Sequence, residues 1–276
     1  MSPLWRDRVG VALFPDRLVL VRAGGRVRPR LTHRDVIAVA PASSGTASWQ
    51  PALDALAEQV AGGIMSGAEV TVVLSSHFVH YTLVPRSDVL ASPAEEIAFA
   101  RHCFGRVHGE QAQSWRIKLS PAAERGARLA CGVEQVLVEA LESVMAPLGS
   151  RYRSLQPHLM ASFNRWRARL GRRTAWFVVA EPDILCVSLL RDGSWQSVRT
   201  IKVGAEWPTE LPGVLLREEC LVDSDADCHD VCVFAPDGPD PLVLDAGRWR
   251  FTSLLPRLLP RMPAGADATF SIALGG

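Results

Sequence analysis

Two segments of the chain repeat one pattern, and this repetition constrains the fold more than any other feature of the sequence. Residues 9–23 and residues 177–193 each contain a β-rich run, a Pro-Asp dipeptide and a second β-rich run. Proline and aspartate are typical of tight turns, here with Asp16 in the first segment and Asp183 in the second. Each segment is therefore predicted to form a β-hairpin, and together they predict one folding unit used twice.

The first repeat continues in a pattern typical of a mixed α/β unit. Strands are predicted at residues 9–13, 18–22, 36–40 and 70–74. Between the last two strands, apolar residues recur at the spacing of one helix face. They are Leu53, Leu56, Val60 and Ile64. The order βββαβ is typical of the opening of one half of a duplicated ribonuclease-H-like fold.

The middle of the chain contains a clear helix start. Ser92 and Glu95 form a capping box, and Pro93 occupies the first helical position. The face of this helix would carry Ile97, Ala100, Arg101 and Phe104. Around it we predict strands at residues 78–84, 114–119 and 128–132, a helix from Val133 to a stop at Pro147, and a helix at residues 159–170.

The second repeat follows the first in its order of elements. Two strands begin at Ala175, the dipeptide Asp192-Gly193 predicts a hairpin turn, and a third strand covers residues 196–202. Farther along we predict a helix at 206–221, a strand at 231–235, a short helix at 254–262 and a last strand at 269–274. The order again approximates βββαβαβ, so the predicted fold class is α/β, a duplicated, two-lobed ribonuclease-H-like fold.

Residues 74–85 and 155–166, together with the two hairpins, carry a resemblance to known proteins. The chain resembles the actin-like ATPase fold and, within it, the pilus-assembly branch: the PilM-type proteins and the cytoplasmic part of the GspL-type secretion proteins. This resemblance implies a first lobe over residues 1–173, with a small inserted subdomain at about 78–132, and a second lobe over residues 174–276.

The hairpin turns lack the residues that ATP-using members of this fold carry. In those members each turn contains Asp-x-Gly, in which the carboxylate holds magnesium or its water and the glycine lets backbone amides approach the phosphates. Read without gaps, the first hairpin has Ala12 and Phe14 at these positions. The second has Val179 and Glu181. The resemblance therefore implies a pseudo-ATPase that binds no cofactor, and a register shifted by one residue is the alternative.

The charge of the chain gives no general preference for nucleic acid, because its formal net charge is only +1. Residues 1–8 lack the apolar core of a signal peptide, and no run approaches the ~20 apolar residues of a membrane span. The protein is therefore expected in the cytoplasm. The six cysteines are scattered, which favours reduced thiols over a disulfide framework.

Common catalytic and metal-binding motifs are absent from the sequence. A P-loop needs glycine directly before lysine, whereas Lys118 and Lys202, the only lysines, both follow isoleucine. Potential metal ligands cluster at residues 223–232, where the spacing fits no EF-hand loop. One histidine and two cysteines in this segment could ligate zinc, but a structural site needs a fourth ligand. A polar turn before a strand is the favoured interpretation, and no metal is expected.

Residues 165–173 contain five arginines and no acidic residue. Such a patch could contact an anionic inner leaflet, where each basic residue contributes about 1 kcal/mol, or nucleic acid. The favoured interpretation is structural, because arginines at a helix C-terminus complement its dipole and their stems cover apolar surface. No nucleic acid is expected as a partner.

Aromatic residues gather in and beside the predicted inserted subdomain. They are Phe78, Tyr81, Phe99, Phe104 and Trp115. Taken singly, each is most simply a core residue. In PilM-type proteins the groove between this subdomain and the first lobe receives the short cytoplasmic tail of a single-pass inner-membrane protein. The resemblance therefore implies that these five residues form the groove wall, with main-chain pairing for affinity and apolar pockets for selectivity.

The resemblance implies a non-catalytic cytoplasmic scaffold of a type IV pilus or type II secretion-like assembly platform, peripheral to the inner membrane through its partner. An assembly ATPase is a further expected partner. The alternative is an ATP-binding actin-like protein with an atypical site. A metal-dependent ribonuclease-H-like nuclease is disfavoured, because Asp7, Asp16 and Asp183 do not take the inward strand positions that its metal site needs.

Overall fold

The computed structural model describes residues 7–24, 30–87, 90, 92–121, 126–222, 228–238, 247–254 and 268–273. Its strands are β1 (Arg8–Leu13), β2 (Arg17–Gly24), β3 (Arg30–Ala38), β4 (Glu69–Leu74), β5 (His80–Val84), β6 (Trp115–Leu119), β7 (Arg128–Glu134), β8 (Tyr152–Pro157), β9 (Ala175–Glu181), β10 (Ile184–Arg191), β11 (Ser194–Lys202), β12 (Asp230–Phe234) and β13 (Arg250–Ser253). Its α-helices are α1 (Gln50–Ala61), α2 (Pro93–His108), α3 (Gln135–Met145), α4 (His158–Leu170), α5 (Trp207–Leu221) and α6 (Ala268–Ala273). None of the helices within these ranges is long and apolar enough to cross a membrane.

The first half of the chain builds a five-stranded sheet in the order β3-β2-β1-β4-β8. β1, β2 and β3 pair in antiparallel fashion, whereas β1, β4 and β8 run parallel. Val11, Ala12 and Leu13 of β1 are fully buried, as expected for a central strand covered on both faces. α1 contacts β2 and buries Leu53 and Leu56 of the predicted helix face. Val60, also predicted for this face, is half-buried, and Ile64 lies beyond the helix, which ends at Ala61.

The second half of the chain repeats this sheet in the order β11-β10-β9-β12-β13. Again the first three strands are antiparallel, and β9, β12 and β13 run parallel. Each sheet has a helix between its third and fourth strands, α1 in the first and α5 in the second. The duplication predicted from the two hairpins is therefore confirmed in strand order and strand direction.

A three-stranded sheet in the order β5-β7-β6 forms a separate layer with α2. The predicted cap of α2 is present, because the Ser92 hydroxyl accepts a hydrogen bond from the Glu95 amide at 3.2 Å. Phe104 and Trp115 lie in the core of this layer. Gly132 on β7 lets the layer close, since a Cβ at this position would come within 2.8 Å of the Trp115 ring. On its other side, β5 contacts β11.

Contacts between Cα atoms divide the chain into two compact units. The first comprises Met1–Phe78, Glu134–Arg165 and Pro256–Gly276. The second comprises Val79–Val133 and Trp166–Leu255. The three-stranded sheet thus shares a contact unit with the second five-stranded sheet. The assignment of residues 1–173 and 174–276 to two duplicated lobes remains a prediction.

The C-terminal segment differs from the sequence prediction. A strand is predicted at residues 269–274, but Ala268–Ala273 form the helix α6, which contacts β1, β2 and β4. Ser271, Ile272 and Ala273 are buried, so packing against the first sheet outweighs strand propensity in this short apolar run. Most of the helix predicted at 254–262 lies outside the described residues.

Other differences are shifts and omissions. Val133, predicted to open a helix, lies in β7, and α3 begins at Gln135. The predicted strand at 36–40 is the end of a longer strand, because β3 pairs with β2 along its whole length. β8 and β13 are absent from the prediction, since their short sequences show no regular alternation of polar and apolar residues.

Candidate functional site

In each hairpin a two-residue turn joins the two strands, Pro15-Asp16 in the first and Pro182-Asp183 in the second. In the first, the Phe14 amide donates a hydrogen bond to the Arg17 carbonyl oxygen at 2.9 Å across the Pro-Asp pair. In the second, Glu181 pairs with Ile184 across the other Pro-Asp pair. Phe14 and Glu181 therefore occupy equivalent positions, in agreement with the gapless register used for the two sequences.

An aromatic ring fills the turn of the first hairpin. Phe14 is 1% exposed, and its ring meets the His158 ring edge-on at a centroid distance of 6.2 Å. The Arg17 guanidinium lies 4.3 Å from the Phe14 centroid and also forms a 2.9 Å ion pair with Asp16. Ala12, two residues earlier, is fully buried. The Phe14 amide thus bonds within the hairpin, and the ring occupies space that a glycine would leave open.

Polar side chains collect beside this hairpin, where β4 and β8 end. The Ser75 amide donates to the Leu13 carbonyl oxygen at 3.0 Å, which ties the loop after β4 to the end of β1. The Ser75 hydroxyl accepts from the His77 amide at 3.2 Å and shares a 3.0 Å hydrogen bond with His77 Nδ1. Ser76 and His158 are also buried. Open α/β sheets place ligands at the carboxyl ends of their parallel strands, so this edge is the candidate site of the first unit.

The sequence predicted no role for these four side chains, Ser75, Ser76, His77 and His158. All four lie in the stretches that carry the resemblance, and each follows closely on the end of a parallel strand. That position is the signal that could have found them. β8 was not predicted, so His158 could not be placed at a strand end.

The second hairpin differs in chemistry from the first. Glu181 is 3% exposed and Val179 is 1% exposed. The positions that carry aspartate and glycine in ATP-using members therefore carry a buried valine and a buried glutamate here. Asp183 has a φ of 62°, the left-handed conformation that suits the second residue of such a turn. Both hairpins lie wholly within the described residues, and neither pairs an aspartate with an open glycine turn.

Four of the five predicted partner-binding aromatics lie in the second contact unit, and the structure does not bring these four to one surface. Phe104 and Trp115 are buried, and their rings meet at 5.5 Å in the core beneath α2. Phe99 is half-buried at the edge of that core. Tyr81, also half-buried, alternates onto the opposite face of the three-stranded sheet. Phe78 is 5% exposed and belongs to the first contact unit. A role of these residues in partner binding stays a prediction.

The segment with potential metal ligands is described in part. Residues 223–227 lie outside the described ranges, whereas Cys228 and Cys232 are both buried. Burial raises the pKa of both thiols, which favours their neutral form. The His229 ring lies 6.1 Å from the Trp249 ring. Within the described ranges, no three His, Cys, Asp or Glu side chains are grouped as metal ligands.

The basic run ends α4 and continues into the next turn. Its outer members, Arg167, Arg169, Arg172 and Arg173, are exposed. Burial lowers the pKa of Arg165, the innermost member. Gly171 ends the helix as predicted, with a φ of 61° and its amide donating to the Arg167 carbonyl oxygen at 2.9 Å. Exposed guanidinium groups therefore surround the C-terminal end of α4.

Solved structures share the fold of this chain at low sequence identity. The cytoplasmic domain of EpsL, an inner-membrane component of the type II secretion system of Vibrio cholerae, is 12% identical with a TM-score of 0.59, over 98% of this chain and 96% of that chain. A chain of the PilM-PilN type IV pilus biogenesis complex is 14% identical with a TM-score of 0.70, over 97% and 96%. A Bacteroides thetaiotaomicron protein with an actin-like ATPase fold is 8% identical with a TM-score of 0.57, over 84% of each chain. No family model and no curated protein matches the sequence.

These similarities agree with the duplicated sheets. Both sheets have three antiparallel strands followed by two parallel ones, and three solved structures match this arrangement over most of the chain. The predicted fold class is thereby confirmed. The chain adopts a duplicated actin-like α/β fold.

Proposed function

We propose that this protein is a non-catalytic scaffold in an inner-membrane assembly platform of the type IV pilus or type II secretion kind. In this proposal it keeps the actin-like fold, does not hydrolyse ATP, and binds the cytoplasmic tail of a single-pass membrane protein. That tail holds it at the cytoplasmic side of the inner membrane. An assembly ATPase is a further proposed partner.

The observation that carries the proposal is the position of Phe14. Nucleotide binding at such a turn depends on a glycine, which lets backbone amides approach the phosphates. Here the Phe14 ring packs against His158 and beneath the Arg17 guanidinium, and the Phe14 amide is already bonded. A phosphate group at this turn would have to expel the buried ring, at a cost of about 3–5 kcal/mol.

The equivalent turn of the second hairpin supports the same conclusion. Glu181 is 3% exposed, so its side chain fills the space at this turn that a glycine would leave open to a phosphate group. The Val179 side chain cannot ligate magnesium, which requires oxygen. Two chemically different obstacles therefore stand at the two turns.

The fold neighbours support the choice of an assembly platform. One neighbour is the cytoplasmic domain of a type II secretion component, and the other belongs to a pilus biogenesis complex with PilN. Both are matched over at least 96% of their length, so this chain has room for the same set of elements. Transfer of their role to this chain is our proposal.

Titration with ATP and magnesium tests the non-catalytic part of the proposal. We expect calorimetry to show no saturable binding even at millimolar ATP, because both turns are blocked. Magnesium alone and ADP with magnesium serve as controls for nonspecific heat. Saturable binding in the micromolar range would overturn this part and favour the alternative below.

Peptide binding tests the partner. The probe is a labelled peptide that spans the cytoplasmic tail of a single-pass membrane protein encoded beside this chain's gene, and fluorescence anisotropy measures its affinity. Phe99→Ala and Tyr81→Ala remove the two half-buried rings, and we expect each to weaken binding about tenfold. Val107→Ala on the same helix as Phe99 is the matched control, since Val107 is 72% exposed. Equal affinity of all variants would exclude both rings from the binding site.

An ATP-binding actin-like protein with an atypical site is the alternative function. The polar residues at the carboxyl ends of β4 and β8 favour it: the buried Ser75 and His158 and the half-buried His77 would face a ligand held at this edge. In that case Phe14→Gly should strengthen binding of ATP with magnesium, and Ser75→Ala should weaken it. The scaffold proposal expects neither variant to bind ATP.

A further inference from the structure

The second contact unit contains a surface cavity that the scaffold proposal does not use. Its volume is about 620 Å³, which is within the range of small-molecule binding sites. It lies where the turn after α4 meets the β10–β11 turn and the segment before β7. All its described lining residues belong to this one unit.

Two chain segments approach the β10–β11 turn beside the cavity. A Cβ on Gly193 would lie 3.8 Å from the Gly171 carbonyl oxygen and 3.9 Å from Arg172 Cγ, so the turn after α4 lies near the β10–β11 turn. Gly126 has a φ of 88°, and a Cβ there would come within 3.3 Å of Ser194 Cβ. The next residue, Ala127, forms an isolated antiparallel bridge with Trp195, which ties the segment before β7 to the start of β11.

The chemistry of the lining favours an anion. Arg172 and Arg191 contribute two guanidinium groups, and Ser194 and Gln196 add a hydroxyl and an amide. Among the described lining residues Asp192 alone is acidic. Arg173, which follows Arg172 in the basic run, is also exposed, so positive charge predominates among the described residues of the lining and the adjoining turn.

We propose that this cavity binds a phosphate-bearing anion. A carboxylate has two oxygens, which a single guanidinium fork can saturate in a bidentate pair. A phosphate group has at least three acceptor oxygens, so it can engage two guanidinium forks from different chain segments and still accept from a hydroxyl and an amide. The source is either a soluble phosphate compound or the headgroup of an anionic lipid, which share this chemistry. This proposal is independent of the scaffold proposal, because no described residue that lines the cavity lies in the two Pro-Asp turns or among the predicted partner-binding aromatics.

A pair of arginine variants tests the site. Arg172→Ala removes a guanidinium from the cavity wall, and Arg167→Ala removes an equally charged, exposed side chain from the same run. The soluble probes are inorganic phosphate and glycerol phosphate, and NMR shifts of the full chain measure binding. The membrane probe is phosphatidylcholine vesicles with and without phosphatidylglycerol, measured by co-sedimentation. We expect Arg172→Ala to weaken binding about tenfold and Arg167→Ala to change it less than about twofold.

Asp192→Asn is expected to strengthen anion binding, which is the opposite of the effect expected for Arg172→Ala. Its φ of 52° lies in the left-handed region, where asparagine is at least as well tolerated as aspartate, so the turn is retained. Loss of the Asp192 carboxylate, the one acidic group among the described lining residues, should strengthen anion binding roughly threefold. If only the net charge of the protein mattered, neutralising an acidic residue outside the cavity would give the same gain. Asp54→Asn on α1 is the control for this, because Asp54 is exposed and belongs to the first unit.

The outcomes separate the sources and can overturn the proposal. Binding of soluble phosphate with the expected order of variants supports a soluble ligand, and binding of phosphatidylglycerol vesicles alone with the same order supports a lipid headgroup. Equal losses of affinity for Arg172→Ala and Arg167→Ala would mean that binding depends only on the overall positive charge, and would overturn the site. Absence of binding to either probe would also overturn it, whatever the result of the ATP and peptide experiments.

Discussion

The two hairpin turns have the same backbone position in their sheets and opposite side-chain chemistry. Phe14 places a buried ring under a guanidinium, whereas Glu181 places a buried carboxylate at the equivalent point. Strand order and direction agree between the two sheets. The difference teaches that a duplicated fold can keep its sheets while the two turns change independently, because side chains as different as Phe14 and Glu181 are both packed into the interior at this position.

Replacement of Phe14 should give the largest change in stability among the variants that test this comparison. Phe14→Ala removes a ring that is 1% exposed and packed against His158, and we expect a loss of about 3–5 kcal/mol in the free energy of unfolding. Urea denaturation followed by circular dichroism measures it. Val36→Ala on β3 is the control, since Val36 is 43% exposed and should cost less than about 0.5 kcal/mol. A loss below about 1 kcal/mol for Phe14→Ala would mean that the ring does not hold the turn closed.

The sequence predicted the turns better than the elements around them. The register that equates Phe14 with Glu181 follows from two Pro-Asp pairs, whose conformational restriction is local and visible in the sequence. The cap at Ser92 and the helix end at Gly171 were predictable for the same reason. Local backbone chemistry therefore predicts where elements start and stop.

Elements that depend on distant packing escaped prediction. α6 is helical because Ile272 and Ala273 pack against the first sheet, a contact that lies far away in the sequence. β8 is short and irregular in pattern, and its pairing with β4 is what makes it a strand. Because β8 was missed, His158 was not placed beside Phe14, and the carboxyl edge of the first sheet could not be assembled from the sequence.

The half-buried phenol of Tyr152 predicts a loss of stability at alkaline pH. Burial, and next the nearby Glu142 carboxylate, raise the pKa of Tyr152 on β8 from 10.0 to about 12. The folded pKa lies above the unfolded one, so the stabilisation is complete below pH 10 and is lost as the pH rises towards 12. After allowance for partial exposure we expect a loss of at most about 2 kcal/mol, absent in Tyr152→Phe.

Urea denaturation across alkaline pH measures this loss, and tyrosinate absorbance supplies an independent reading. Tyr81 and Tyr152 are the two tyrosines of the chain. Subtracting the absorbance titration curve of Tyr152→Phe from that of the wild type therefore gives the titration of Tyr152 alone. Coincident stability profiles for the two proteins above pH 10 would contradict the assignment.

A buried carboxyl in the second half predicts a smaller effect at acidic pH. Burial raises the pKa of Glu218 on α5 despite its 3.0 Å ion pair with Arg199 and the nearby Arg217. The folded pKa exceeds the unfolded one, so the contribution of Glu218 is complete below its ordinary pKa and is lost as the pH rises through the folded value. Glu218→Gln should therefore gain stability relative to the wild type as the pH rises from acidic to neutral.

The matched charge removal in the first half is Glu69→Gln. Glu69 forms a 3.2 Å ion pair with the exposed Arg153, and such a pair contributes about 0–1 kcal/mol. Urea midpoints at several pH values compare the two variants. A stability gain of Glu69→Gln that equals that of Glu218→Gln would remove the difference between the halves.

The turns themselves provide the smallest and most specific test. Asp183 has a φ of 62°, whereas its counterpart Asp16 is not among the described residues with positive φ and is paired with Arg17. Glycine adopts positive φ without strain but loses more conformational freedom on folding. Asp183→Gly should therefore change the free energy of unfolding by less than about 0.5 kcal/mol, whereas Asp16→Gly should cost about 0.5–1 kcal/mol. Thermal denaturation of both variants measures the difference, and a larger loss for Asp183→Gly would show that the two turns do not differ in backbone conformation as the structure has them.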